Sequence, residues 1–379
     1  MVQPIRILHV FGGVSLGGAE SRIMDLYRCM DREEIQFDFL VHSECVETRK
    51  PEFYDEEIES LGGRIFVLPR FKVYNYIQYK KAVADFFKEH DEFALIQGHM
   101  TSTASIYLPA AKKAGIPVSV AHARSAGVDK GVKGIVTKIL RLPLLKRADY
   151  CFACSREAGE AVFGKRWEKS KKSVVLPNAI ASEKYIFNGE IRDKVRKELG
   201  IEDCYVIGHV GRFHYAKNHE YLLKVFSALH TGMKDRSIRA VLLLLGDGGG
   251  MESVRQQAKL LNLEEDVFFM GNKKDVENYY QAMDFFVFPS RFEGLPGTVV
   301  EAQAAGIRCI ISDKITPEVR LCQLVHYESI DEPEDLWAKY ILENASYVRS
   351  DMYETIKEAG FDVKEQAAKM EGFYKTGKM

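Results

Sequence analysis

Residues 285–306, FFVFPSRFEGLPGTVVEAQAAG, constrain the chain most, because they pass from an apolar run through a turn of small residues into a helix start. Phe285–Phe288 is short and unbroken, and Pro289 ends it, the pattern of a strand buried on both faces of a parallel sheet. Glu293 then falls in the loop at the carboxyl end of that strand. Gly294, Pro296 and Gly297 let the backbone approach whatever fills the crevice, and a helix opening near Thr298 aims unpaired amides and a positive dipole end at it. An anionic ligand suits such a place. Glu293 and Glu301 flank the loop at E-x7-E spacing. Thr298 and Glu301 also have the spacing of a capping box, which would give Glu301 a purely structural role; both readings stand. Glu293 is outside that box, and a carboxylate beside phosphate is costly unless it binds neighbouring hydroxyls. A phosphate joined to a polyol describes a nucleotide sugar.

Elsewhere the chain alternates apolar strands with helical segments. A strand over 5–10 leads into Phe11-Gly-Gly-Val-Ser-Leu-Gly-Gly-Ala-Glu20 and then a helix with Ile23, Leu26, Tyr27 and Met30 on one face. The glycines do not fit G-x-G-x-x-G, so no dinucleotide fingerprint is present; the loop reads either as a tight turn or as a phosphate approach. Strands are expected over 37–42, 65–68, 94–97, 117–121 and 150–153, a doubly wound α/β pattern. His99 follows one of these strands, and His122 and Arg124 follow the next, at the ends where ligands of open sheets usually lie. A polar stretch over 178–199 reads as the linker between two domains, at 1–188 and 189–361. The second opens with a strand over 205–210, then Gly211-Arg-Phe-His-Tyr-Ala-Lys-Asn218 before a helix. Arg212 and Lys217 are either solvated loop charges or a cationic pair for a diphosphate, with Asn218 as the cap. Strands over 241–245, 267–270 and 307–312 follow, and Asp275 is placed to cap a helix.

Two segments carry a resemblance to a known family. EGLPGTVVEAQAAG resembles the E-x7-E signature of the retaining glycosyltransferases with the GT-B fold (glycosyl transferases group 1, glycosyltransferase family 4), and GRFHYAKN resembles their Gly-Arg segment with its following lysine. The match is strong over 208–313 and weak before 174. It implies two Rossmann-like domains facing across a cleft, with a C-terminal helix over about 362–379 crossing back to the first. It also implies Arg212 and Lys217 on the donor diphosphate, Glu293 and His99 near the transferred sugar, and Gly17 and Gly18 approaching the donor. Asn272 and Lys273 fall by the nucleotide base, while Gly294, Leu295, Gly297, Thr298, Val299 and Glu301 complete donor binding. His122 and Arg124 are assigned more weakly to the acceptor side. The implied reaction transfers a hexose-type sugar from a nucleotide diphosphate sugar to a glycan or lipid-linked acceptor in surface polysaccharide biosynthesis. No cofactor is expected; no Asp-x-Asp occurs, and the cationic pair makes a metal unnecessary. Rival readings are a sugar-nucleotide epimerase of the same architecture, a non-catalytic nucleotide-sugar-binding protein and a hydrolase, which would use paired carboxylates without the cationic pair.

The 379 residues suit two domains. The first residues lack a signal-peptide pattern and there is no long apolar run, so a cytoplasmic protein is expected, with a place at the inner face of the cell membrane as one reading of the basic stretch over 110–172. The seven scattered cysteines fit reduced thiols, with Cys151 and Cys154 read as strand thiols rather than a metal or redox pair. The near-zero net charge hides a basic stretch: residues 110–172 hold 15 Lys or Arg against 5 Asp or Glu, 15 − 5 = +10. Within it, GVKGIVTKILRLPLLK over 131–146 mixes Ile135, Val136, Ile139, Leu140, Leu142, Leu144 and Leu145 with Lys133, Lys138, Arg141 and Lys146. It reads either as a core helix with a solvated basic side or as peripheral contact with an anionic membrane, and Pro143 interrupts it. No nucleic-acid motif accompanies this charge.

Overall fold

Among the described residues thirteen strands form, most of them the apolar runs that parallel sheets covered on both faces demand. They are β1 (Ile5–Val10), β2 (Ile35–Ser43), β3 (Ile65–Pro69), β4 (Leu95–Gly98), β5 (Val118–Ala123), β6 (Tyr150–Ala153), β7 (Ser173–Val175), β8 (Tyr205–Val210), β9 (Ala240–Leu245), β10 (Val267–Gly271), β11 (Phe285–Phe288), β12 (Arg308–Ser312) and β13 (Val325–Glu328). The computed structural model describes residues 3–124 and 131–379; the side chains of residues 132 and 133 are also left aside, so the expectation placed on Lys133 lies outside the described residues.

The chain divides into two compact units, Met1–Ala179 with Val363–Met379, and Ile180–Asp362. The first holds a seven-stranded sheet of order β3-β2-β1-β4-β5-β6-β7, the second a six-stranded sheet of order β10-β9-β8-β11-β12-β13. All pairings are parallel. The strand order reverses between β1 and β4 in one sheet and between β8 and β11 in the other. Ligands of open α/β sheets bind outside the carboxyl ends at such switch points.

In the first unit, Asp38 on β2 is fully buried and accepts two 2.6 Å bonds from Arg6 on β1 and a 2.7 Å bond from Arg64. Burial opposes its charge, but the two guanidiniums hold its carboxyl below the usual range. The helix Val363–Thr376 packs on this unit: Tyr374 donates to Gln97 Oε1 at 2.9 Å and Phe373 meets Tyr150 edge-on.

The polar stretch read as a linker is structured and belongs to the second unit. Residues Gly189–Leu199 form a helix whose N-cap, Asn188, accepts from the Ile191 amide at 3.1 Å, and Gly200 ends it in the left-handed conformation at φ 66°. Arg192 and Arg196 on this helix each reach Asp284 at 2.5 Å, and Asp284 also accepts from the Val206 amide at 2.8 Å. The unit therefore begins at Ile180, not at 189: Ile180 forms a parallel bridge to Asp362 and donates to Phe361 O at 2.8 Å. Several strand limits differ from expectation by a residue or two. β5 runs on to Ala123, so His122 lies inside it, and the short strands β7 and β13 were not foreseen. Cys151 and Cys154 are buried and in no disulfide, and burial pushes the Cys151 thiol up to about 12.

Candidate active site

The loops leaving β8 and β11 meet at the switch point of the second sheet. Lys217, two residues before the helix His219–Lys234, places Nζ 2.8 Å from Glu293 Oε1, and both side chains are less than one-fifth exposed. The lysine stem lies over Gly211, where an added Cβ would sit 3.1 Å from both Cδ and Cε, so the glycine that opens GRFHYAKN makes room for the lysine. Its ammonium also sits 4.5 Å from the Phe288 ring centroid. Arg212 is exposed and, among the described residues, forms no ion pair. Below the pair His209 is wholly buried, with Nδ1 donating to Val287 O at 2.9 Å. Burial, with His219 and Lys217 nearby, keeps this imidazole far below its ordinary value and therefore neutral. The loop after β9 closes over the same strand ends: Gly246, at φ 129°, approaches Gly211 O so closely that a Cβ there would lie 2.3 Å away.

The helix Gly297–Ala304 starts one residue earlier than expected, with Pro296 at the N-cap and no side-chain cap. This overturns the capping box. Glu301 is buried, and its Oε2 accepts from the Tyr280 hydroxyl at 2.9 Å, which also lies 3.1 Å from Thr298 O. Gly294 and Leu295 are buried, while Gly297 and Thr298 at the helix start remain partly open and Val299 is buried. Asn218 and Asp275 occupy N-cap positions, but neither side chain caps its helix; Asp275 accepts instead from the Asn278 side chain at 3.0 Å. Beyond β10, Asn272 is exposed and Lys273 lies 5.3 Å from the Tyr279 ring centroid.

In the first unit the glycine loop follows β1 and His99 follows β4, again at the switch point. Gly17 takes the N-cap position of the helix Gly18–Cys29, and an added Cβ there would lie 2.4 Å from the Glu20 carboxylate; at Gly18 nothing stands within 4 Å. Glu52 accepts from the Val14 amide inside the same loop. Arg124 donates through Nε to His99 Nδ1 at 3.2 Å and through Nη1 to Asn178 Oδ1 at 2.9 Å. Because the guanidinium can only donate, His99 carries its proton on Nε2 and donates it to His9 Nδ1 at 3.1 Å. Both ring nitrogens of His99 are thus engaged within the fold. His122 is fully buried, and its Nδ1 accepts from Gln97 at 2.8 Å, so it has no surface with which to meet an acceptor directly. Burial, reinforced by Arg124, keeps all three imidazoles neutral, His9 down to about 3, and burial lowers Arg124 to about 10. His9, Gln97, Asn178 and Tyr374 escaped sequence reasoning because their partners lie 25 to 277 residues away; only the polar residues inside the apolar strands β1 and β4 hinted at them. Among the described residues no three His, Cys, Asp or Glu side chains gather as a metal set.

Residues 191–341 match the family model for glycosyl transferases group 1, and residues 16–184 match that for glycosyltransferase family 4. EpsF of Bacillus subtilis (strain 168), itself a provisional glycosyltransferase by name, is 36% identical over 377 residues, covering 97% of this chain and 96% of that protein. The chain belongs to the group 1 glycosyltransferases. An Escherichia coli relative of this glycosyltransferase, the UDP-Gal:alpha-D-GlcNAc-diphosphoundecaprenol alpha-1,3-galactosyltransferase, is 24% identical over 322 residues, covering 82% of this chain and 79% of that one. Among solved structures, HepE of Anabaena in complex with UDP superposes with a TM-score of 0.74 at 18% identity, covering 97% of this chain and 99% of that chain. Sucrose-phosphate synthase of Thermosynechococcus elongatus superposes with a TM-score of 0.75 at 17% identity, with 98% of each chain covered. These likenesses establish the GT-B fold.

Proposed function

We propose that this glycosyltransferase moves a hexose, with retention of configuration and without a metal, from a nucleoside diphosphate sugar to a glycan or lipid-linked acceptor in surface polysaccharide synthesis. The observation that carries the reading is the Lys217–Glu293 pair at the β8/β11 switch point, beside exposed Arg212 and the open start of the helix Gly297–Ala304. When the bond between the anomeric carbon and the β-phosphate oxygen breaks, its electron pair goes to the phosphate. Arg212, Lys217 and the helix amides stabilise that charge. Glu293 then turns to the sugar hydroxyls, where positive charge develops. The acceptor oxygen bonds to the anomeric carbon on the face the phosphate leaves, and its proton passes to a phosphate oxygen. Metal independence rests on this cationic pair doing the work a divalent ion would do. The hexose and lipid-linked acceptor are supported by the names of relatives: besides the galactosyltransferase above, CapH of Staphylococcus aureus is a capsular polysaccharide biosynthesis glycosyltransferase. Retention rests on the family resemblance. Incubation with nucleotide hexoses and undecaprenyl diphosphate-linked sugars in EDTA should give a product whose anomeric proton coupling matches the donor. Inverted product, or transfer abolished by EDTA and restored by a divalent ion, contradicts those parts of the reading.

A lipid-linked acceptor places the enzyme at a membrane surface. Among the described residues no helix is long and apolar enough to cross a membrane. On the helix Gly131–Arg141, however, Ile135 and Ile139 are about 60% exposed at i, i+4 spacing, and Leu142 follows them at 80% beside exposed Lys138 and Lys146. The stretch after β3 adds exposed Val73, Tyr74, Tyr76 and Ile77 with Lys80 and Lys81. Both stretches follow carboxyl ends of one sheet, and their mix of aliphatic, tyrosine and cationic side chains suits an anionic bilayer surface. The protein is expected to co-sediment with phosphatidylglycerol vesicles, and Ile135→Ser with Ile139→Ser to weaken that binding roughly tenfold or more. Equal binding to phosphatidylcholine vesicles contradicts the contact.

A further inference from the structure

The strands β8 and β11 share a register only at Phe285↔Ile207 and Phe286↔Gly208. Beyond that the two loops that carry Lys217 and Glu293 leave the ladder, yet the two side chains meet at 2.8 Å. Arg291 spans the gap. Its amide donates to Ala216 O at 2.7 Å, its Nη2 donates to Asn218 Oδ1 at 2.6 Å, and its guanidinium lies 4.6 Å from the centroid of the Tyr215 ring. Asn218 completes the tie, donating through Nδ2 to Pro289 O at 3.2 Å. These contacts bracket the pair on both sides, since Lys217 lies between Ala216 and Asn218, and Glu293 lies two residues after Arg291. Asn218 is buried at φ 55°, a backbone conformation costly for most side chains but tolerated by Asn. Its side chain leaves the helix uncapped in order to reach the other loop.

We infer that Arg291 is a positioning residue for sugar transfer: with Asn218 it clasps the lysine loop to the glutamate loop and fixes where Lys217 meets the diphosphate. The inference rests on the donor site proposed above. Preorganised charge acts only if it is already aimed, and a displacement of about 1 Å can cost roughly a hundredfold in rate. A fold-stabilising arginine would be tested by melting temperature alone, whereas a positioning one shows itself in turnover.

The test uses Arg291→Ala, Arg291→Lys and Asn218→Gly in the full chain. Asn218→Gly keeps the positive φ but removes the acceptor of Arg291. Hydrogen exchange reads the clasp with no ligand: in Arg291→Ala and in Asn218→Gly, amides over 214–218 and 289–297 should lose protection while β9 and β12 keep theirs. Turnover reads its consequence. Arg291→Ala should lower kcat about thirtyfold with donor KM changed less than about threefold, Arg291→Lys should recover part of it, and the double variant should be no slower than the slower single variant. Unchanged exchange in those two segments overturns the clasp. Loosened loops with kcat within threefold of wild type, or multiplying losses in the double variant, overturn the positioning role. A wild type that transfers from no nucleotide sugar sinks the proposed donor site instead, and the clasp is then decided by exchange alone.

Discussion

Lys217→Ala is expected to lose about 3 kcal/mol of transition-state stabilisation, on the order of a hundredfold in kcat at saturating donor, the size typical of one preorganised donor group. The ammonium is held 2.8 Å from Glu293 with its stem over Gly211, so the mutation removes a charge already aimed at the switch point. It also leaves the Glu293 carboxylate, mostly buried, without its cation. That carboxylate then stands uncompensated beside the departing diphosphate, so raising the donor concentration does not rescue the variant. Steady-state kinetics decides this; unchanged turnover at saturating donor contradicts the assigned role.

The second large effect falls on stability. Asp284 is the common anion of Arg192 and Arg196 and accepts from the Val206 amide, tying the helix Gly189–Leu199 to the start of β8. Arg196 is almost wholly buried and spends its remaining donors on the carbonyls of Ala282, Glu202 and Cys204. Asp284→Ala strands that guanidinium without a counter-charge, which costs about 3–5 kcal/mol and should lower the melting temperature by roughly 10 °C for a unit of this size. Asp284→Asn keeps an acceptor and should fall between. Scanning calorimetry with a shift below about 2 °C for the alanine variant contradicts the anchor.

Most of the strand framework was legible because doubly covered parallel strands are apolar runs: the limits of β1, β6, β8 and β11 agree with expectation residue for residue. β13 was not, since VHYE at a sheet edge carries His326 and Glu328 and has no uninterrupted apolar run. The helix Gly189–Leu199 was misread as linker because what fixes it, Asp284, lies about ninety residues along the chain. The local signals, Asn188 before it and Gly200 after it, were both present. At the site, spacing brought Lys217 and Glu293 into consideration but gave no sign that they pair. The Thr298-x-x-Glu301 spacing misled, because Tyr280 competes for the carboxylate and does so from another helix. The histidines show the same limit. His99 and His122 were recognised by their place at strand ends, but local sequence says nothing of Arg124 setting the tautomer of one, or of Gln97, itself held by Tyr374, donating to the other.

The most direct test of the donor site is the thermal shift of wild type, Lys217→Ala and Glu293→Ala with UDP, GDP, ADP and their hexose conjugates in EDTA. The account predicts a selective shift with one diphosphate, diminished in Lys217→Ala. In Glu293→Ala the bare nucleotide should keep its shift, because Lys217 is released from its partner, while the increment added by the sugar disappears. No shift with any nucleotide in a folded wild type, or loss of the bare-nucleotide shift in Glu293→Ala, would contradict it.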